Sequence, residues 1–582
     1  MSELDPPLES RRQFLLSAGA AAAGGLFFEA SAADRARTDA PQAAASGDAA
    51  ADTTYATGDI ITPETVAEAE KIVGVRFSAS ERVQIARSAA GQRRRFEQRR
   101  SVGFLPNGLP PTTLFNPLLP GMKAPVVASR VSLGEREMRP LPDSDVDIAF
   151  APVTELSAWI QARELSCERL TRIYLERLKR LDSTLHCVVT LTEEPALEQA
   201  RRADREIAAG KYRGALHGIP WGAKDLLETD GIRTTWGAMP YKDRVGAGDA
   251  YVVRKLEEAG AVLVAKLTLG ALAMGDVWFD DVTRNPFNPE QGSSGSSAGS
   301  AAATAAGLVG FALGTETLGS IVSPCMRCGT TGLRPTFGRV ARTGAMALCW
   351  SLDKIGPICR TVEDTALVLA AINGADAGDP SSVNVPFHYD AALPLESVKV
   401  GWSPSWFQGR ASAHDRRALE TVRELGVTLV EVDLPDEPVH SLRTILRTES
   451  AAAFEELSLS DRDDELVRQS AGAWPNSFRS AWFVPAVELI QADRLRRRVM
   501  ERMAEVFEKA DLLICPSFAA DLLTTTNFTG HPSLTLRTGF REDGTPDGIT
   551  LWGGLFDEGT LCCVGRALEE ALSVWDRRPH FE

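Results

Sequence analysis

From about Ile148 onward, amphipathic helical stretches alternate with short apolar runs, and this alternation most constrains the fold. Leu156 to Leu181 reads as a pair of amphipathic segments, and Pro195 to Ala209 as a helix closed by Gly210. Ile219 to Leu227 reads as a strand, Asp249 to Ala259 as a helix ended by Gly260, and Ala261 to Leu267 as a buried strand. Val398 to Trp402, Val427 to Val432 and Leu512 to Cys515 are further strands, with His414 to Leu425 a helix between the first two. The pattern predicts an α/β fold with a mixed, mostly parallel central sheet covered by helices on both faces, preceded by an N-terminal helical extension. No internal repeat is visible.

Composition allows such a core and narrows the partners. The chain has 582 residues, 44% hydrophobic and 24% charged, which is globular rather than disordered. Its formal charge of −15 disfavours a broad hold on phosphate backbones, so nucleic acid is not expected as a partner. The mean hydropathy of −0.11 and the absence of a run of ~18 or more apolar residues in the body argue against a polytopic membrane protein.

The first residues read as an export address. Arg11-Arg12 precede an apolar stretch from Phe14 to Phe28, and Ala30-Ser31-Ala32 offers small residues for cleavage. Those fifteen residues rise only about 22 Å as a helix, short of a hydrocarbon core of ~30 Å. The expectation is a twin-arginine signal over 1–32, a periplasmic or secreted mature protein, and no stable membrane insertion after cleavage. Residues 33–147 would then be a flexible N-terminus, a helical hairpin and a Pro-rich strap over 105–125, ahead of a catalytic domain at 148–582. Thr62 and Pro63 mark the first helix start of the hairpin, and Ser78 with Glu81 the second. Nine scattered cysteines form no disulfide framework, and Cys325-Met326-Arg327-Cys328, a lone CxxC, reads as structural. No metal cluster and no dinucleotide fingerprint appears, so no cofactor is expected.

Chemistry concentrates between Asn285 and Ile321. The Gly/Ser run from Gly292 to Ser300 leads into a small-residue helix, Ala301 to Gly307, and then a buried run, Leu308 to Leu313, which a flexible linker would not do. Gly319-Ser320 follows in a turn that can present a hydroxyl beside free backbone N–H groups, as acyl transfer requires.

These blocks resemble the amidase signature family. Gly214-Ala215-Leu216-His217-Gly218-Ile219-Pro220-Trp221-Gly222-Ala223-Lys224-Asp225 is similar to its lysine strand, Gly295-Ser296-Ser297-Ala298-Gly299-Ser300 to its serine block, and Leu318-Gly319-Ser320-Ile321 to its nucleophile turn. Thr330 to Thr336, Thr529 to Pro532 and Gly554 to Leu561 extend the resemblance over roughly residues 150 to 575. It implies a triad of Lys224 as base, Ser296 (after a cis peptide from Gly295) as proton relay, and Ser320 as nucleophile. Gly292-Ser293-Ser294 competes in register, but 24 residues separate Ser296 from Ser320 and favour the second triplet. Backbone N–H groups of Thr317, Leu318, Gly319 and Ser320 would form the oxyanion hole, with Ser297 supporting the loop. A lysine near pKa ~10.4 is cationic, so burial must lower it before it can act as a base. Asp225 reads as a structural hydrogen-bonding partner, and His217 and His531 as packing residues. Met274, Trp278 and Phe279 are candidates for the pocket or, equally, for the core.

Two departures stand out. The family has Asp at Glu316 and Arg at Val322, residues that would pair and brace the nucleophile turn, so the brace must differ here; Ser294 and Leu318 stand at positions where glycine is usual. The expected function is hydrolysis of a carboxylic amide, with a small-molecule amide as partner and a homodimer left open. The alternatives are the glutaminase-type A subunit of a tRNA-dependent amidotransferase, whose small helical subunit the hairpin resembles, and a non-catalytic amide- or peptide-binding protein.

Overall fold

Eleven of the apolar runs assemble into one sheet. The computed structural model describes residues 61–135 and 139–581, and Ile61–Glu582 form one compact unit. The expected signal over 1–32 and the segment up to residue 60 lie outside the described residues. In chain order the strands of the main sheet are β1 (Val188–Leu191), β2 (Pro220–Lys224), β3 (Val262–Leu267), β4 (Phe311–Glu316), β5 (Thr331–Arg334), β6 (Lys354–Cys359), β7 (Lys399–Trp402), β8 (Thr428–Glu431), β9 (Leu512–Pro516), β10 (Ser533–Phe540) and β11 (Pro546–Gly553). Their spatial order is β8-β7-β9-β11-β10-β5-β6-β4-β2-β3-β1.

The α/β class holds, while the expected predominance of parallel pairing does not. Parallel pairs are confined to two zones, β8-β7-β9 and β4-β2-β3. Everything between them, and the outer strand β1, is antiparallel. The physical reason is connectivity: β10 and β11 are joined by a short turn, and β5 and β6 by a connection without a crossover helix, so each returns antiparallel to its neighbour.

Local signals explain most elements. The helix Pro63–Val73 opens on a Thr62 capping box with proline in its first turn and ends at Gly74, φ 73°. Its partner, Ala79–Arg100, opens on a capping box between Ser78 and Glu81, and the Glu70–Arg82 ion pair at 2.7 Å joins the two. The strap at 105–120 has no regular structure, yet it is tied down: Phe115 meets Phe337 edge-on at 5.0 Å between ring centroids, and Arg496 lies over its face.

The serine helix spans Ala298–Ala305 and β4 runs to Glu316, both displaced from the sequence expectation by about three residues. Ser300 donates to the Leu313 carbonyl at 2.8 Å and locks the helix on the strand. A second helix, Val322–Cys328, packs beside it through Ala301, Ala305, Cys325 and Cys328 above Ile358. The Cys325/Cys328 pair is therefore core, and all nine cysteines are buried thiols.

Candidate active site

Strand register delivers the lysine. β2 and β4 run parallel with Trp221 beside Phe311 and Ala223 beside Leu313, and the two rings stack at 6.1 Å. Lys224, the last residue of β2, is thereby set next to Gly314 and Thr315. Its side chain is fully buried. The ammonium nitrogen Nζ lies 2.9 Å from Ser296 Oγ, 3.0 Å from Ser297 Oγ and 2.8 Å from Thr315 Oγ1, with the Thr315 carbonyl at 3.4 Å. Burial pushes the Lys224 pKa from 10.5 down to about 7, against the opposing pull of Asp353 and Glu316.

The serine block is a tight passage. The Gly295–Ser296 peptide is cis, and a Cβ on Gly295 would stand 1.9 Å from the Gly275 carbonyl oxygen, so only glycine fits. Ser297 Oγ donates to the Thr315 carbonyl and accepts from the Thr315 N–H, each at 3.1 Å. Its single hydrogen is thus committed, and toward Lys224 it acts as an acceptor. Of the competing triplet, Ser293 donates to the Ser294 carbonyl and Ser294 pairs with Ser323, so neither meets the lysine.

Ser320 is held by its backbone: the Ser297 N–H donates to the Ser320 carbonyl at 3.2 Å. Its hydroxyl makes no hydrogen bond among the described residues, and the residue is 8% exposed where Ser296 is 1%. Lys224 and Ser296 are therefore in direct contact, while Ser320 is tied to them through the backbone of Ser297. Gly319 takes φ 89°, a left-handed conformation that suits glycine and bends the turn. The N–H groups of Thr317, Leu318, Gly319 and Ser320 have no acceptor among the described residues. Thr317 Oγ1 donates to Asp353 at 2.5 Å.

The brace that had to differ is supplied from another strand. Glu316 Oε2 accepts the Ile321 and Val322 N–H groups at 2.8 and 3.0 Å. Its Oε1 accepts Arg334 Nη1 at 2.7 Å and Asn527 Nδ2 at 2.8 Å. Arg334, at the end of β5, is also fully buried, so an ion pair with no solvent contact spans the turn. Burial alone would raise the Glu316 carboxyl; Arg334, the Val322 N–H and Asn527 outweigh it and hold the pKa at about 2.

Other sequence candidates have structural roles. Asp225 accepts the Thr235 N–H and hydroxyl and pairs with the buried Lys266. His217 accepts the Arg213 N–H, and His531 stacks on Phe507 at 4.5 Å, its pKa lowered to about 3 by burial and the nearby Arg334. Trp278 is buried against Phe279 and neither residue lines the cavity; nor does Met274, although its neighbour Ala273 does. The cavity reaches Thr315 and Thr317 and is walled by Leu226, Met346, Leu348, Trp350 and Ile355. Thr315, Arg334, Asp353 and Asn527 escaped sequence reasoning. Arg334 carried a signal, a charge on an otherwise apolar strand; Asn527, 211 residues from Glu316, carried none.

This arrangement, a buried lysine hydrogen-bonded to a serine pair next to a turn of free N–H groups, defines an amide-hydrolysing class of enzyme. The chain belongs to the amidase signature family, whose sequence model matches residues 169–525. Over 480 residues it is 34% identical to the glutamyl-tRNA(Gln) amidotransferase A-type chain of Thermosynechococcus vestitus, covering 74% of this chain and 99% of that one. The corresponding protein of Moorella thermoacetica is 34% identical over 486 residues, 75% of this chain and 99% of its own. Among solved structures, the native peptide amidase of Stenotrophomonas maltophilia superposes with a TM-score of 0.67 at 30% identity, over 74% of this chain and 99% of that one.

These relatives correct the expected location. The two curated relatives just given are named for glutamyl-tRNA(Gln), and charged tRNA is cytoplasmic, so export to the periplasm or medium does not stand. A pair of arginines before an Ala- and Gly-rich stretch is a short local signal; the similarity that overrides it extends over 480 residues.

Proposed function

We propose that the chain hydrolyses the C–N bond of a linear carboxylic amide through an acyl-enzyme on Ser320. The carrying observation is the buried contact of Lys224 Nζ with Ser296, Ser297 and Thr315. Near neutrality a substantial fraction of Lys224 is uncharged, with two N–H donors and one lone pair. Ser297 and Thr315 take the donors, and the lone pair accepts the Ser296 hydroxyl proton. Ser296 in turn takes the proton of Ser320 as that oxygen attacks the carbonyl.

The tetrahedral oxyanion is stabilised by the unpaired N–H groups at Thr317 to Ser320, where one donor contributes about 2.7–4 kcal/mol to kcat. The relay then returns a proton to the departing nitrogen, and water attacks the acyl-enzyme by the same route in reverse. We assign this chemistry to 148–582, with 33–147 as the extension, a small-molecule amide as the partner, and no cofactor in any step.

A fluorophosphonate probe should label Ser320 and lose its label in Ser320→Ala; labelling that persists in that variant, together with full amide turnover, sinks the assignment. The similarity to the amidotransferase chains favours a second reading, a glutaminase delivering ammonia to a partner. Co-purification of partner subunits together with glutamine-dependent ammonia transfer would establish it over the first.

A further inference from the structure

The polar groups lining the cavity that reaches Thr315 and Thr317, beside the lysine and serines, are already engaged. Arg342 donates through Nε to Asp379 at 2.9 Å, through Nη1 to the carbonyls of Trp350 and Asp353 at 2.7 and 3.3 Å, and through Nη2 to Asp379 and Ser381. All five of its hydrogens are therefore taken. Asp353 accepts from Leu348, Cys349 and Thr317. Lys354 donates to the Leu352 carbonyl, and burial drives its pKa well below the ordinary value. Among the described residues, the two cations lining this cavity, Arg342 and Lys354, are thus engaged or uncharged, so an α-amino acid amide such as glutamine finds no free cation there for its carboxylate.

The cavity opens instead onto apolar surface. An adjoining groove meets it at Pro110 and Trp350, which line both. Its walls come from the strap (Leu105, Leu109), the end of the helix Arg443–Ala453 (Ala452), and Trp482, and the ion pair in its lining, Arg99 with Glu455, is closed on itself. Leu105, Leu109 and Trp482 stand 56%, 53% and 41% exposed, which is apolar area that a ligand would remove from water. The groove is a fixed feature because Asn107 clamps the strap: its amide donates to the Ala347 and Ala453 carbonyls at 2.8 and 3.2 Å and accepts the Ala347 N–H at 2.8 Å. Trp350 Nε1 donates to the Asn107 carbonyl at 3.2 Å.

We infer that the substrate is an amide bearing an extended, uncharged apolar group, with the carboxamide at Ser320 and the apolar group along the groove under the strap. This rests on the hydrolase reading above and adds the substrate class. The apolar group comes either from a hydrocarbon chain or from apolar residues of a peptide carboxamide.

The test uses the full chain and two readouts. For straight-chain primary carboxamides of increasing length, kcat/KM should rise roughly two- to fourfold per methylene until the groove is filled. Calorimetric affinity for straight-chain primary alcohols, which needs no catalysis, should rise in step. Ala452→Trp, which fills the groove, should flatten both dependences; Leu109→Asp is the second variant, and a thermal melt of each establishes that it is folded. Length dependence in the hydrocarbon series supports the proposal with a chain as source, and a gain confined to apolar peptide carboxamides supports it with a peptide as source. Flat dependence in every series, slopes untouched by both folded variants, or glutamine turned over faster than any apolar amide overturns it. Length-dependent alcohol binding without any amide turnover supports the groove and sinks the hydrolase reading instead.

Discussion

At the scale of single residues, the decisive number is the Lys224 pKa of about 7. Only the neutral amine accepts a proton, so kcat/KM should fall about tenfold per pH unit below that value and level off above it, a profile measured with an amide whose own ionisation lies elsewhere. A profile flat down to pH 5 would remove Lys224 from the role of base. Lys224→Ala should lower kcat by about 10²–10⁴, the usual contribution of a positioned general base, and Lys224→Arg should not restore it because guanidinium stays charged. Ser297→Ala leaves the relay serine in place but removes the acceptor shared by Lys224 and Thr315. Its effect should appear as a shifted pH profile as well as a reduced kcat. Lys224, Ser296 and Ser320 were singled out by blocks that resemble the family's motifs, and the fold sets Lys224 against Ser296 and ties Ser320 to them through the Ser297 backbone. Thr315 was not: its contact with Nζ follows from the β2–β4 register, which no local pattern encodes.

The nucleophile turn is the element on which the site depends, and its brace is the buried pair of Glu316 and Arg334. Breaking such a pair by removing one partner costs about 3–5 kcal/mol, since a charge is left without compensation. Arg334→Met should therefore destabilise strongly in denaturant unfolding, and Glu316→Gln combined with Arg334→Met should cost less than the two separate losses together. Additive losses would mean that the pair does not act as a unit. The Glu316 carboxyl is held at about 2 in the fold and titrates near 4.5 when unfolded. Its stabilisation is thus complete above pH 4.5 and lost as pH falls towards 2. The departures at Glu316 and Val322 showed that the family brace was missing; which residue replaced the arginine was decided by β5 lying within reach of β4's end.

On the scale of the whole molecule, the N-terminal strap is pinned to the main body. Asn107 mimics a backbone pairing with Ala347, and Asn107→Ala leaves those groups without partners, at about 1–3 kcal/mol. Faster hydrogen exchange confined to 105–120 and 345–350, with the sheet unchanged, is the expected signature. By contrast the Arg99–Glu455 ion pair, exposed on the arginine side, should contribute no more than about 1 kcal/mol. Glu455→Gln should leave the melting temperature within a few degrees, and a large drop would show that the hairpin is held there.

The sequence by itself determined the α/β class and the helix starts at Thr62 and Ser78, through hydrophobic periodicity and capping demands that residue types reveal, while its resemblance to the family singled out the lysine, the serine block and the Gly319-Ser320 turn. Tertiary structure alone decided the antiparallel middle of the sheet, the identity of the brace, the partners of Nζ and the apolar groove. Each joins residues tens or hundreds of positions apart, and the free energy of such a contact exists only once packing has brought its two sides together.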